Sequence, residues 1–86
     1  MRLNRDQRRI VKAALRDHAE GVEDLQIETL LSITEGTVYP KLYQAIYIDG
    51  CTIEATSKRL YSSPRTITRL LERFYLRVWA VLDEGK

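Results

Sequence analysis

The stretch SPRTITRLLERFYLRVWAVLD holds no glycine after its Ser63-Pro64 start, and none follows until Gly85. Serine before proline gives an N-cap followed by a first helical position that needs no N–H and already has its φ set. Ile67, Leu70, Leu71, Phe74, Val78, Val81 and Leu82 then recur at three- and four-residue spacing, one continuous stripe of a helix. Such a helix, over residues 64–83, is near 20 residues and roughly 30 Å long. In a chain of 86 residues, sized for one small domain with one modest core, that rod limits every other choice.

The remaining segments read as shorter helices. Asn4, with Gln7 three residues on, predicts a capping box opening a helix over residues 5–18. Val11, Ala14, Leu15 and His18 share its buried face, widened by Ile10 and Ala13. A second helix is expected over 22–32, with Leu25, Ile27, Leu30 and Leu31 as its apolar residues and its acids in the first turn. A third, capped by Thr37 with Pro40 in its first turn, spans 38–48 and buries Leu42, Tyr43, Ile46 and Tyr47. Asp49-Gly50 breaks the chain, and Thr52 caps a short fourth helix reaching about Tyr61. Gly21, Gly36 and Gly50 fall between these segments as punctuation. No segment alternates with period two, so the expected fold is all-α: about five helices in one domain, residues 1–86. Residues 1–36 form its N-terminal helical part. Residues 37–86 form a helix-turn-helix core that ends in the long last helix.

Charged residues are 30% and hydrophobic ones 44%, the balance of a folded chain. No apolar run approaches the roughly 18 residues of a membrane span, and the basic start MRLNRDQRR lacks the apolar stretch of a secretory signal. The expectation is a cytoplasmic protein without a membrane partner. Cys51 is the single cysteine, so no disulfide forms within these residues. With only His18 beside it, Cys and His assemble no four-ligand metal site. His18 falls in the last turn of its helix, near the C-terminal dipole, and Cys51 is a small half-buried residue before the Thr52 cap. No glycine-rich phosphate loop, nucleophile–base pair or arguable carboxylate pair points to an enzyme, and no cofactor is expected.

Charge is unevenly spread. Residues 1–18 carry six basic and two acidic side chains, residues 19–36 five acidic and no basic ones, and residues 37–86 eight basic and five acidic. Basic outer segments and an acidic middle let one face meet a polyanion while another stays acidic.

Two helices joined by a three- or four-residue turn, the second led by Ser-Pro, make a helix-turn-helix, whose second helix enters the major groove N-terminus first. With Ile67, Leu70, Leu71 and Phe74 inward, Arg65, Thr68, Arg69, Glu72 and Arg73 face away. Arg65, Thr68 and Arg69 are the expected base contacts, since arginine pairs bidentately with guanine and threonine offers a hydroxyl and a methyl. Thr52, Lys58, Arg59, Ser63, Thr66, Arg73 and Arg77 are the expected contacts to the DNA backbone. Tyr75, Leu76 and Trp79 sit partly off the main stripe. They either pack on the N-terminal helices or form a homodimer interface.

The run YIDGCTIEATSKRLYSSPRTITRLLERF, residues 47–74, resembles the helix-turn-helix of sigma-factor region four and of LuxR-type regulators. Gly50, Thr52, Leu60, Ser63, Thr66 and Ile67 match that pattern, and RLYSSPRTI is close to the LuxR-type turn. Thr56 and Ser57 stand where those families place Ile and Ala, and Ser62 where a small apolar residue anchors the turn. LYQAIYIDG, residues 42–50, also resembles the lead-in helix of phage late-transcription regulators of the ArpU and RinA kind. The resemblance implies a bacterial or phage-encoded transcription regulator that binds double-stranded DNA sequence-specifically. The alternatives are a helix-turn-helix module that contacts RNA polymerase or a sigma factor through its acidic middle segment, and a phage DNA-packaging or replication accessory.

Overall fold

The computed structural model describes residues 2–84. They form five helices and no strand: α1 (Arg5–Ala19), α2 (Leu25–Ile33), α3 (Val38–Tyr43), α4 (Ile53–Arg59) and α5 (Pro64–Glu84). The chain is all-α. A wider helical turn, Gln44–Ile48, extends α3 without a break. There Asp49 N–H donates to the Gln44 carbonyl at 2.9 Å and Cys51 N–H to the Ala45 carbonyl at 2.8 Å, reaching five and six residues back. None of the helices among the described residues is long and apolar enough to cross a membrane.

Local chemistry sets most of the helix starts. The Asn4 side chain accepts from Gln7 N–H at 2.8 Å while the Gln7 side chain accepts from Asn4 N–H at 2.9 Å, the expected capping box. Thr37 and Thr52 cap α3 and α4. α2 starts three residues later than expected. Asp24, read from the sequence as a first-turn acid, is instead its N-cap and accepts from Gln26 and Ile27. α4 stops at Arg59, short of Tyr61, because residue 61 turns into the left-handed region at φ 54°. α5 runs one residue past the expected end, and its expected stop, Gly85, lies outside the described residues.

One core joins all the helices. α5 supplies Ile67, Leu71, Phe74, Tyr75 and Val78; α1 supplies Val11 and Leu15; α2 supplies Ile27 and Leu30; α3 supplies Leu42 and Tyr43. Leu3, ahead of α1, closes it beside α5. Ala45, outside the expected stripe, is fully buried in the wide turn. Leu25 and Ile10, expected to face inward, are exposed, because Asp24 sets the phase of α2 and Val11 and Leu15 set that of α1.

Tyr75 packs into the interior of the domain. It is buried, at 8% exposure, and its hydroxyl bonds the Tyr47 hydroxyl at 2.7 Å. Burial raises the pKa of both phenols, so both stay neutral hydrogen-bonding groups. Leu76 and Trp79 are half-buried against the same core. His18 also has a structural role: its Nδ1 and the Tyr43 hydroxyl share a 2.6 Å hydrogen bond.

Ile67 has no exposure and lies between α4 and α5. Ile67→Asp therefore buries an unpaired carboxylate and should abolish the cooperative thermal transition seen by circular dichroism. A variant that keeps its helical signal and its cooperative melt would place residue 67 at the surface.

Candidate nucleic-acid interface

The turn between α4 and α5 is built by three hydrogen bonds. Ser62 N–H donates to the Ser57 carbonyl at 2.9 Å and Tyr61 N–H to the Lys58 carbonyl at 3.3 Å, the paired bonds of a Schellman C-cap. On the far side, Ser63 Oγ accepts from Thr66 N–H at 3.2 Å, so Ser63 is the N-cap of α5. Residues 60–63 thus close one helix and open the next with little slack.

α4 fits under α5 with a polar face. Thr56 and Ser57 are both buried, and each hydroxyl donates back to its own helix, to Thr52 at 2.8 Å and Glu54 at 2.6 Å. The hydroxyls are satisfied inside α4, so these polar side chains serve as packing surface where the resembling families place Ile and Ala. Among the described residues no buried side-chain polar atom lacks a partner.

With Ile67 and Leu71 inward, the tip of α5 presents Arg65, Thr68 and Arg69 to solvent, as expected. Arg65 and Arg69 are one turn apart on one face, and among the described residues neither takes part in an ion pair. Thr68 is exposed, and its Oγ1 donates to the Pro64 carbonyl at 3.1 Å, which fixes its rotamer. Thr66 shares a 2.9 Å hydroxyl contact with Ser63. Lys58, Ser63, Thr66 and Arg73 are exposed around this tip.

The remaining expected contacts are placed differently. Arg59 is clamped to Asp49 at 2.5 Å, and Gln44 donates to the same carboxylate at 3.1 Å. The Arg59 hydrogen bond, then that of Gln44, holds the Asp49 carboxyl below its usual range. Arg59 therefore ties α4 to the wide turn after α3 and presents a partly neutralised charge. Thr52 is spent on the N-cap of α4, accepting from Ala55 N–H at 3.1 Å. Arg77 stacks 5.2 Å over the Tyr39 ring, about 20 Å along the helix from Pro64, so it does not join the tip.

Tyr61 is a residue that sequence reading passed over, because α4 was expected to include it. It occupies the Schellman position that glycine normally fills, at φ 54°, and its side chain is 97% exposed. Its ring contributes almost no burial to the fold, yet it stands two residues before the α5 cap. The signal in the sequence was an aromatic residue two places ahead of Ser63-Pro64 where a turn, not a helix, was required.

A left-handed backbone costs a residue with a side chain roughly 1–2 kcal/mol, and glycine gives back about 0.5–1 kcal/mol through its freer unfolded chain. Tyr61→Gly should therefore stabilise the domain by about 0.5–1 kcal/mol in urea unfolding. A less stable Tyr61→Gly variant would mean that the ring contributes to folding after all.

No protein-family model matches the chain, and no curated protein or solved structure matches it either.

Proposed function

We propose that the protein is a sequence-specific, double-stranded-DNA-binding transcription regulator that reads the major groove with the N-terminal half of α5. The observation that carries this reading is the α5 tip. Two unpaired arginines and a threonine with a fixed rotamer stand outward on a helix whose start is set by a Schellman turn and a serine cap. Arginines separated by one turn on a helix whose start is fixed suit bidentate pairing to guanine. Tyr61 belongs to the same surface. Backbone strain held by an exposed aromatic residue at the turn is accounted for by a contact outside the monomer, and its hydroxyl and ring suit a phosphate and a sugar beside the groove.

A second reading rests on α2. Val22, Leu25 and Ile33 are exposed, the last two at 77% and 71%, within the acidic segment. That surface suits a protein partner such as RNA polymerase or a sigma factor, and such contact is compatible with DNA binding by α5.

Selection of bound duplexes from a random library tests the first reading: enrichment of a defined site supports it, and no enrichment turns the account toward protein contact. On the selected site, Arg69→Ala should cost roughly 1–3 kcal/mol and relax preference at one base pair. Lys58→Ala should weaken binding to selected and scrambled duplexes alike and lower the salt slope by about one. An Arg69→Ala effect that is equal on both duplexes would make Arg69 a backbone contact.

A further inference from the structure

We infer that α1 carries a second duplex-DNA contact, a basic ridge that engages phosphates flanking the groove entered by α5; this rests on the DNA-binding reading above. Arg5, Arg9, Lys12 and Arg16 are spaced four, three and four residues apart. At 3.6 residues per turn they fall within an arc of about 60° and extend about 16 Å along the helix. Like charges one turn apart destabilise an isolated helix. Among the described residues only Arg9 of the four has an ion-pair partner, Asp6 at 2.7 Å. Lys12 lies 6.0 Å over the Tyr75 ring, an attraction that leaves its charge uncancelled. The ridge borders a shallow surface concavity of about 590 Å³, lined by six basic side chains together with Leu3 and Ala13.

The position of the ridge links it to the tip of α5. Arg8 contacts Glu72 at 3.8 Å, which marks the seam between α1 and α5. On α1, the ridge begins next to Arg8 on the solvent side of that seam. On α5, Arg65 and Arg69 share with Glu72 the face that continues beyond it, since 65, 69 and 72 follow helical spacing. Arg2 and Arg8 line both the basic concavity and a small cleft formed with Glu72, Tyr75 and Leu76. Lys12 over the Tyr75 ring, one turn beyond Arg8 and Glu72, shows that the two helices advance alongside each other, so the Arg5 end of the ridge is the one on the side of the α5 tip. The acidic residues Glu20, Glu23 and Glu28 lie on the next part of the chain, past the end of α1. Apart from Arg9, whose guanidinium bonds Asp6, the ridge is a row of charged side chains with no side-chain hydrogen bond among the described residues, which suits phosphates and carries no base readout.

The test uses the full chain with Arg5, Lys12 and Arg16 all changed to Gln, after circular dichroism has shown the parent's helical content and melt. Binding is measured by fluorescence anisotropy at several salt concentrations on the selected duplex and on a mixed-sequence duplex. The expected result is weaker binding to both, an unchanged ratio between them, and a log–log salt slope shallower by roughly 2–3. Arg65→Ala with Arg69→Ala serves as the comparison and should collapse the ratio while keeping the slope contributed by α1. If selection enriches no site but the triple variant still loses slope on mixed duplex, base reading by α5 fails and the ridge stands. An unchanged slope in the triple variant overturns the ridge whether or not α5 reads bases. Tighter binding of the parent to single-stranded RNA than to either duplex would also overturn it.

Discussion

The rotation of α5 about its own axis is the constraint on which the rest depends. Ile67, Leu71, Phe74 and Val78 are buried along one stripe, and every other helix packs on the core they form. Turning that stripe by one position would expose Phe74, the largest fully buried side chain, and lose roughly 3 kcal/mol or less of burial for that ring alone. Rotation is therefore fixed, and with it the outward direction of Arg65, Thr68 and Arg69. The same helix serves as structural axis and as candidate reading head, which is how a small domain keeps an exposed surface in register.

The turn before α5 completes this arrangement. A Schellman C-cap and a serine N-cap, four residues in all, give the tip of α5 a defined start relative to α4. Thr56 and Ser57 let α4 approach closely because their hydroxyls return to their own backbone. The Asp49–Arg59 pair then holds the far end of α4 to the wide turn that extends α3. An exposed ion pair of this kind adds little stability. Its consequence is that Arg59 contributes less positive charge to the face of α4 than Lys58 does.

The features written in local sequence were legible. Asn4 with Gln7, Thr37, Thr52 and Ser63-Pro64 each marked a helix start that the structure contains. The spacing of Ile67, Leu71, Phe74 and Val78 marked the buried face of α5, and with it the exposure of Arg65, Thr68 and Arg69. What was not legible depends on choices between near-equal local options or on distant partners. Asp24 won the cap of α2 over earlier positions in the same acidic run. Tyr61 took a left-handed conformation with no glycine to announce it. Tyr75 found its hydroxyl partner in Tyr47, 28 residues away, so its burial could not be read from the periodicity of α5. The basic residues of α1 were visible as composition, but the place where α1 meets α5 is marked by the long-range contact between Arg8 and Glu72.

Basic residues concentrate on α1 and at the start of α5, while the acidic segment around α2 carries exposed apolar residues. The most direct measurement of the central claim is a backbone amide NMR titration of the full chain with its selected duplex. The account predicts that the largest shift changes fall on residues 61–69, with a second group along α1, while α2 stays nearly unchanged. Changes concentrated on α2, with the tip of α5 silent, would contradict it.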